Sequence, residues 1–306
     1  MTAPGIPNDF ALSTACFGTR LDSIEDQVFA AVAMGFRQIE LGLSETPAKL
    51  VGFEDARRET GCRITSLVAG CLKPSGEKMT CLGLSSLDED EREQAVNSVR
   101  LHIQLAQRLG VPIVTVRGTK VADAKLQQDA RELNNELSRD GLSDPLRDKM
   151  RAFVHRVQKK GSRQIENLCR SLHTLMAQFP ETRLALEPGV YIDDLLSFEV
   201  MGWVLDDLER HKLGYWHDVG RIQQRQRHGL PTQGQWLEAY APRMLGVHLQ
   251  DSADEEAEMP PGLGEVDWKL ISSYLPRTAV RVLEVNQRHG RTELLGSVQF
   301  LVDRGI

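Results

Sequence analysis

Eight short segments of β-branched and apolar residues recur along the chain, each bounded by glycine, proline or polar residues. They start at Phe10 (FALSTACFG), Phe36 (FRQIELGL), Arg63 (RITSLVAGCL), Pro112 (PIVTVRG), Thr182 (TRLALEPG), Leu213 (LGYWHDVG), Met244 (MLGVHLQD) and Val280 (VRVLEVN). A helical pattern lies between most neighbours. Strands that alternate with helices build a parallel sheet covered by helices, because a parallel connection must cross over the sheet face. Eight such units predict closure into an α/β fold of the (β/α)8 TIM barrel type, parallel and eight-stranded, rather than an open doubly wound sheet. The absence of a GxGxxG after the first strand lowers the open-sheet alternative further. One barrel accounts for residues 1–306 as a single domain.

The helices carry their own stops and starts. Ser23 caps IEDQVFAAVAMG, in which Ile24, Val28, Ala31 and Val32 share a face and Gly35 ends the helix. A second helix runs from SLDEDEREQ to Gly110, with acids in its first turn and Val96, Val99, Ile103 and Ala106 on one face. The stretches AVAMGFRQIE and AQRLGVPIVTV echo each other, both passing from a helix end through glycine into a strand. One interval is unusually long. From Lys120 to Gln178 the chain is charged and helical in pattern, which predicts an enlarged connection after the fourth strand. Its charges read as a solvated surface, with a homo-oligomer contact or a lid as the other uses.

A net charge of −6 disfavours nucleic-acid backbones as partners and points to a small molecule. No apolar run is long enough for a membrane span and MTAPGIPNDF lacks a signal-peptide pattern, so the expected location is cytoplasmic. Cys16, Cys62, Cys71, Cys81 and Cys169 are odd in number and without CxxC spacing, as expected of reduced thiols.

Glu187, Asp218, His248 and Glu284 fall near the ends of four consecutive strands, 31, 30 and 36 residues apart. That spacing is about one strand-helix unit, so barrel closure brings all four to the C-terminal mouth, where barrels keep their chemistry. The residues two back, Ala185, Trp216, Gly246 and Val282, share their face and suit a packed interior. Three carboxylates and an imidazole form an oxygen-rich set for one divalent metal ion: Mn²⁺, Mg²⁺ or Co²⁺, with Zn²⁺ tolerable. Taken singly, each residue reads as readily as a loop ion pair or a core histidine. Their recurrence at matching positions favours the joint reading.

The patterns LALEPG, YWHDVG, LGVHLQD, PPGLGEVDW and VLEVN resemble the xylose isomerase-like TIM-barrel superfamily of sugar isomerases and epimerases. The resemblance covers essentially the whole chain. It implies a divalent metal held by Glu187, Asp218, His248 and Glu284, with Glu187 and Glu284 flanking the substrate as acid and base. The implied activity is a sugar isomerase or epimerase working by proton transfer through a metal-stabilised enediolate. The alternatives are a lyase or dehydratase on a keto-sugar or cyclitol, and an inactive barrel that binds a sugar or a partner.

Several positions depart from the family. DVGR replaces the common DVGH, so Arg221 cannot ligate a cation; it implies a single metal, with the guanidinium holding a substrate oxygen or anion. The plainer reading pairs Arg221 with a carboxylate such as Asp251. No histidine occurs in SLVAGCL or VTVRG, which argues against the trinuclear zinc cluster of the related apurinic endonucleases. HLQDSAD lacks the arginine of ketose 3-epimerases, which disfavours free ketoses. Arg117 is expected to reach a substrate anion or an ion-pair partner, and Glu40 a sugar hydroxyl. His217 is expected to face away from the metal. Asp267 is expected to cap a helix at Trp268, after a PPGLGEVDW segment that serves as a turn or as a loop over the substrate.

Overall fold

The structure, a computed structural model, describes residues 6–43, 49–71, 82–254 and 256–306. Eight strands form a closed barrel: β1 (Phe10–Ser13), β2 (Gln38–Leu41), β3 (Arg63–Val68), β4 (Ile113–Arg117), β5 (Arg183–Glu187), β6 (Gly214–Asp218), β7 (Met244–Leu249) and β10 (Val280–Leu283). Every neighbouring pair is parallel, and β10 closes the ring on β1. This is the (β/α)8 TIM barrel that the alternation predicts. Two further strands, β8 (Asp251–Ala253) and β9 (Glu256–Met259), form an antiparallel hairpin outside the barrel, directly after β7. The sequence pattern does not predict them, because DSADEEAEM is polar on both faces.

The helices are α1 (Ile24–Met34), α2 (Phe53–Thr60), α3 (Glu89–Leu109), α4 (Ala124–Asp140), α5 (Asp144–Lys160), α6 (Ser162–Gln178), α7 (Phe198–Asp207), α8 (Val219–Arg227), α9 (Gln233–Tyr240), α10 (Trp268–Tyr274) and α11 (Arg291–Val302). Ser23 Oγ accepts from the Asp26 amide at 3.0 Å, and Gly35 ends α1 at φ 108°, a left-handed conformation that costs glycine little. On α3 the buried face is Ala95, Val99, Ile103 and Ala106; Val96 lies at its edge.

Helices α4, α5 and α6 fill the interval between β4 and β5. They are more than a charged surface, because Leu126, Met150, Phe153 and Val157 form their own buried cluster with Ile192, Leu195 and Leu230. A larger apolar layer lies between the outward faces of the strands and the remaining helices. Inside the barrel, Ala11, Ile113, Ala185, Trp216 and Val282 pack together. Trp216 sits opposite Gly246, where an added Cβ would lie 2.3 Å from the indole ring. One large ring therefore needs one absent side chain, and together they floor the mouth.

No helix among the described residues is long and apolar enough to cross a membrane. Cys16, Cys62 and Cys169 are free thiols, and Cys81 lies outside the described residues.

Candidate metal centre at the barrel mouth

Glu187 and Asp218 are the last residues of β5 and β6, His248 is next to last in β7, and Glu284 follows β10 directly. All four are buried. Asp218 also begins the next helix: its Oδ1 accepts from the Arg221 amide at 2.9 Å, so the aspartate that ends YWHD is the N-cap of α8.

The four gather around the imidazole of His248. Nδ1 lies 2.7 Å from Glu187 Oε1 and 3.7 Å from Asp218 Oδ2, while Nε2 lies 2.9 Å from Glu284 Oε2. Glu40, expected to meet a sugar hydroxyl, takes a hydrogen bond from His248 Nε2 at 2.9 Å and another from Ser66 Oγ at 2.7 Å. Glu40 is buried, as are Glu187 and Asp218. Donor atoms lie within 4.8 Å of one another in two sets, Glu187 with Asp218 and His248, and Glu40 with His248 and Glu284. The ring stands between the two sets, 5.1 Å from Trp216.

Two arginines complete the cluster. Arg117, paired with Glu187 in the β4–β5 register, donates from Nε to Glu187 Oε2 at 2.5 Å and from Nη2 to Glu284 Oε1 at 3.0 Å. Arg221 lies 3.1 Å from Asp218 Oδ2 and 3.5 Å from Glu187 Oε2. Arg221 thus pairs with carboxylates, though not with Asp251. The oxygens of Asp251 are taken by the amides of Ser252, Gly262 and Val266 and by Trp268 Nε1, at 2.8–3.0 Å.

Three members were not legible as site residues. Ser66 supports Glu40, and Gln250 Nε2 donates to Asp218 Oδ2 at 3.0 Å. Gln250 is two residues past His248, so strand alternation was a usable signal for it. Glu258, on β9, has φ 57°, and its amide donates to Gln250 Oε1 at 2.8 Å. A non-glycine residue in that region is strained backbone, which no local sequence signal announces.

The electrostatics follow from this geometry. Burial works against ionisation of Glu187, but Arg117, then Arg221 and His248, outweigh it and hold its carboxyl well below the usual range. Burial likewise opposes the charge on Glu284, yet His248 and Arg117 bring it to about 2. Burial raises Asp218, with Arg221 pulling the other way. The imidazole of His248 is disfavoured as a cation by burial, but Glu284, Glu40 and Glu187 raise it well above its ordinary value. Glu258 is raised by burial and then by the charge of Glu284.

Five carboxyl groups, Glu40, Glu187, Asp218, Glu284 and Glu258, therefore face two guanidinium groups and one imidazole. Carboxyl groups outnumber cationic groups even with His248 protonated. Buried carboxylate excess beside an imidazole is the donor chemistry of a divalent cation, and such an ion competes with the imidazole protons for the same oxygens. The residues fit the group.

His217 points outward, as expected. Its Nε2 donates to Gln233 Oε1 at 2.9 Å and its Nδ1 faces the Tyr215 hydroxyl at 2.8 Å, fastening β6 to α9. Burial pushes it down to about 4, against the Gln233 hydrogen bond. Asp267 caps α10 as expected, accepting from the amides of Lys269 and Leu270 at 3.1 Å.

A search of curated protein sequences returned no match. Solved structures share the fold at low identity. The apo 3-keto-D-glucoside 4-epimerase YcjR from E. coli matches over 97% of this chain and 100% of its own, at 14% identity and TM-score 0.64. An IolI protein with a bound zinc atom matches over 97% of each chain, at 12% identity and TM-score 0.61. An endonuclease IV from Thermus thermophilus matches over 97% of this chain and 98% of its own, at 14% identity and TM-score 0.57. These likenesses establish the architecture and leave the chemistry to the site. The model of the xylose isomerase-like TIM barrel family matches residues 28–301, and the chain belongs to that family.

Proposed function

We propose that the chain is a divalent-metal-dependent isomerase or epimerase of a sugar or polyol, working by proton transfer at a carbon beside a carbonyl or hydroxyl. The observation that carries this reading is the buried ring of Glu187, Asp218, His248 and Glu284 at the ends of consecutive strands. Those four residues would hold one Mn²⁺, Mg²⁺, Co²⁺ or Zn²⁺ ion. The ion, when bound, supplies Lewis-acid stabilisation for negative charge that develops on substrate oxygens.

The chain's own residues supply the rest. Glu187 and Glu284 lie on opposite nitrogens of His248, so the two carboxylates approach the mouth from different sides. One takes a proton from carbon and the other returns one. Arg117 bridges Glu187 Oε2 and Glu284 Oε1, which fixes both carboxylates and favours the ionised form of the one that takes the proton, while the other must carry the proton it returns. Gln250 orients Asp218 through Oδ2. Arg221 holds a substrate oxygen or anion while keeping its contact with Asp218. Sugar-epimerase and zinc-bound neighbours of the same fold support the reading. The lack of histidines in β3 and β4 argues against the nuclease neighbour's chemistry.

A screen of monosaccharides, keto-sugars and cyclitols in D₂O with Mg²⁺, Mn²⁺ and Co²⁺, read by NMR after metal removal, tests it. Deuterium should enter one carbon, and Glu284→Gln should abolish that exchange while preserving the circular dichroism spectrum. A fully active Glu284→Gln variant would overturn the assignment. An unsaturated product would identify a lyase instead. Elemental analysis should find one tightly bound ion per chain, and two or three would refute the single-ion centre.

A further inference from the structure

A cleft of about 1050 Å³ opens beside the barrel mouth, and the proposed proton transfer makes no use of it. Its walls include Asn134 and Ser138 from α4, Tyr191 from the loop after β5, Arg227 and His228 at the end of α8, and Glu258 from β9. These segments follow β4, β5, β6 and β7, so the cleft belongs to the same end of the barrel as the carboxylate ring.

The walls are tied to one another. His228 Nδ1 lies 2.6 Å from the Gln224 carbonyl oxygen and its Nε2 lies 3.0 Å from Asn134 Oδ1, which joins α8 to α4. Gln224 Nε2 donates to Ser252 Oγ at 2.6 Å and to the Asp254 and Glu256 carbonyl oxygens at 2.9 and 3.1 Å, which joins α8 to the hairpin. Tyr191, with Lys120 Nζ 3.6 Å from its ring centroid, remains 50% exposed. Glu258 connects cleft to mouth: Gln250 accepts from its amide and donates to Asp218, while Asn286 donates its amide to the Glu258 carbonyl at 2.8 Å.

At about 30 Å³ per water, the space holds roughly thirty-five waters, well beyond a single sugar ring of about a dozen non-hydrogen atoms. Amide, hydroxyl and guanidinium groups alternate with Leu137, Leu142 and Val190 beside a half-exposed aromatic ring, a mixed surface that suits the polar rim and apolar face of a sugar ring. We infer that the cleft is a second subsite that takes a glycosyl unit joined to the sugar or polyol reacting at the mouth. The substrate class is then a disaccharide or glycoside rather than a free monosaccharide. This rests on the proposed function and narrows it.

The test compares free monosaccharides and keto-sugars with the matching disaccharides in the D₂O exchange assay, using the Mg²⁺-loaded protein and its Ser138→Trp variant. Ser138 stands on the cleft wall outside the carboxylate ring, so the indole obstructs the cleft rather than the ring. The expected result is a kcat/KM at least tenfold higher for disaccharides, which Ser138→Trp lowers to the monosaccharide level without changing the monosaccharide value. Equal values for both classes, unaffected by Ser138→Trp, overturn the subsite and leave the proton-transfer reading standing. If no sugar exchanges deuterium, that reading fails, and saturation-transfer NMR with maltose and cellobiose decides the cleft. Transfer to the disaccharides that is lost in Ser138→Trp supports the subsite, and no transfer overturns it.

Discussion

Asp251→Asn isolates the role of a buried carboxylate whose four hydrogen bonds all come from neutral donors. Its Oδ1 accepts from the Ser252 and Val266 amides at 2.9 and 3.0 Å, and its Oδ2 accepts from the Gly262 amide and Trp268 Nε1 at 2.8 and 2.9 Å. All four partners are donors. An asparagine keeps one oxygen but sets its NH₂ group against two of them, whichever way the amide turns. Two charge-assisted hydrogen bonds are lost, at roughly 1.5–3 kcal/mol each, so the gross cost is about 3–6 kcal/mol. The neutral amide costs less to bury than the carboxylate, which places the expected net effect near the lower figure. For a domain larger than 250 residues, 3 kcal/mol corresponds to a fall in Tm of roughly 6 °C. Val266 and Trp268 belong to the main apolar cluster, so the loss is expected in global unfolding as well as in the loop. Urea denaturation gives the free energy, and amide hydrogen exchange at Gly262 and Val266 gives the local effect. A variant within 1 kcal/mol of the parent, with unchanged exchange at both amides, would refute the reasoning.

Arg117→Met leaves Glu187 and Glu284 buried without their shared cation, and unfolding should become easier by about 3–5 kcal/mol. If the proposed ion binds, divalent metal at a hundred times its Kd should return about 2.7 kcal/mol, read as a Tm rise on titration. Gly246→Ala forces a methyl into the Trp216 ring and should cost about 1–3 kcal/mol in urea, a loss that Trp216→Phe in the same chain should reduce. Asp194 is pushed up to about 6 by burial, against the pull of Arg225, from an ordinary value of 3.8. The unfolded chain therefore ionises first, and this group lowers stability as pH rises from about 4 to about 6. Asp194→Asn should gain roughly 3 kcal/mol relative to the parent across that window, at 1.36 kcal/mol per pKa unit, and parallel stability curves would contradict this.

The barrel was legible because its signal is repeated: eight apolar segments, eight ring positions, and helices whose caps at Ser23 and Gly35 stand in the local sequence. The four ring residues were legible for a related reason, since each lies at or directly after the C-terminal end of its strand. Glu40 was found, but its partner was not. Its place at His248 depends on β2 and β7 lying across the barrel from each other, 208 residues apart in sequence, and no local pattern encodes a distance of that kind. Glu258 depends on more still, because it reaches the mouth only through a polar hairpin and a residue at φ 57°. The arginine at 221 was legible as a departure, whereas its partners were decided by the N-cap geometry of Asp218, which turns α8 back over the ring.

The two arginines set how much further charge the mouth can take. Arg117 and Arg221 use Glu187 Oε2, Glu284 Oε1 and Asp218 Oδ2, while Glu187 Oε1 and Glu284 Oε2 stay turned toward His248. With His248 neutral as a ligand and all five carboxyl groups ionised, the cluster carries an excess of three negative charges over its two guanidinium groups. On the proposed reading, one divalent ion reduces that excess to one, whereas a second would reverse the sign beside two fixed cations. In a buried site, where like charges at a few ångströms repel by several kcal/mol at an effective dielectric near 20, that reversal opposes a second ion. On that reading, the two arginines put fixed positive charge where a second ion would have to sit.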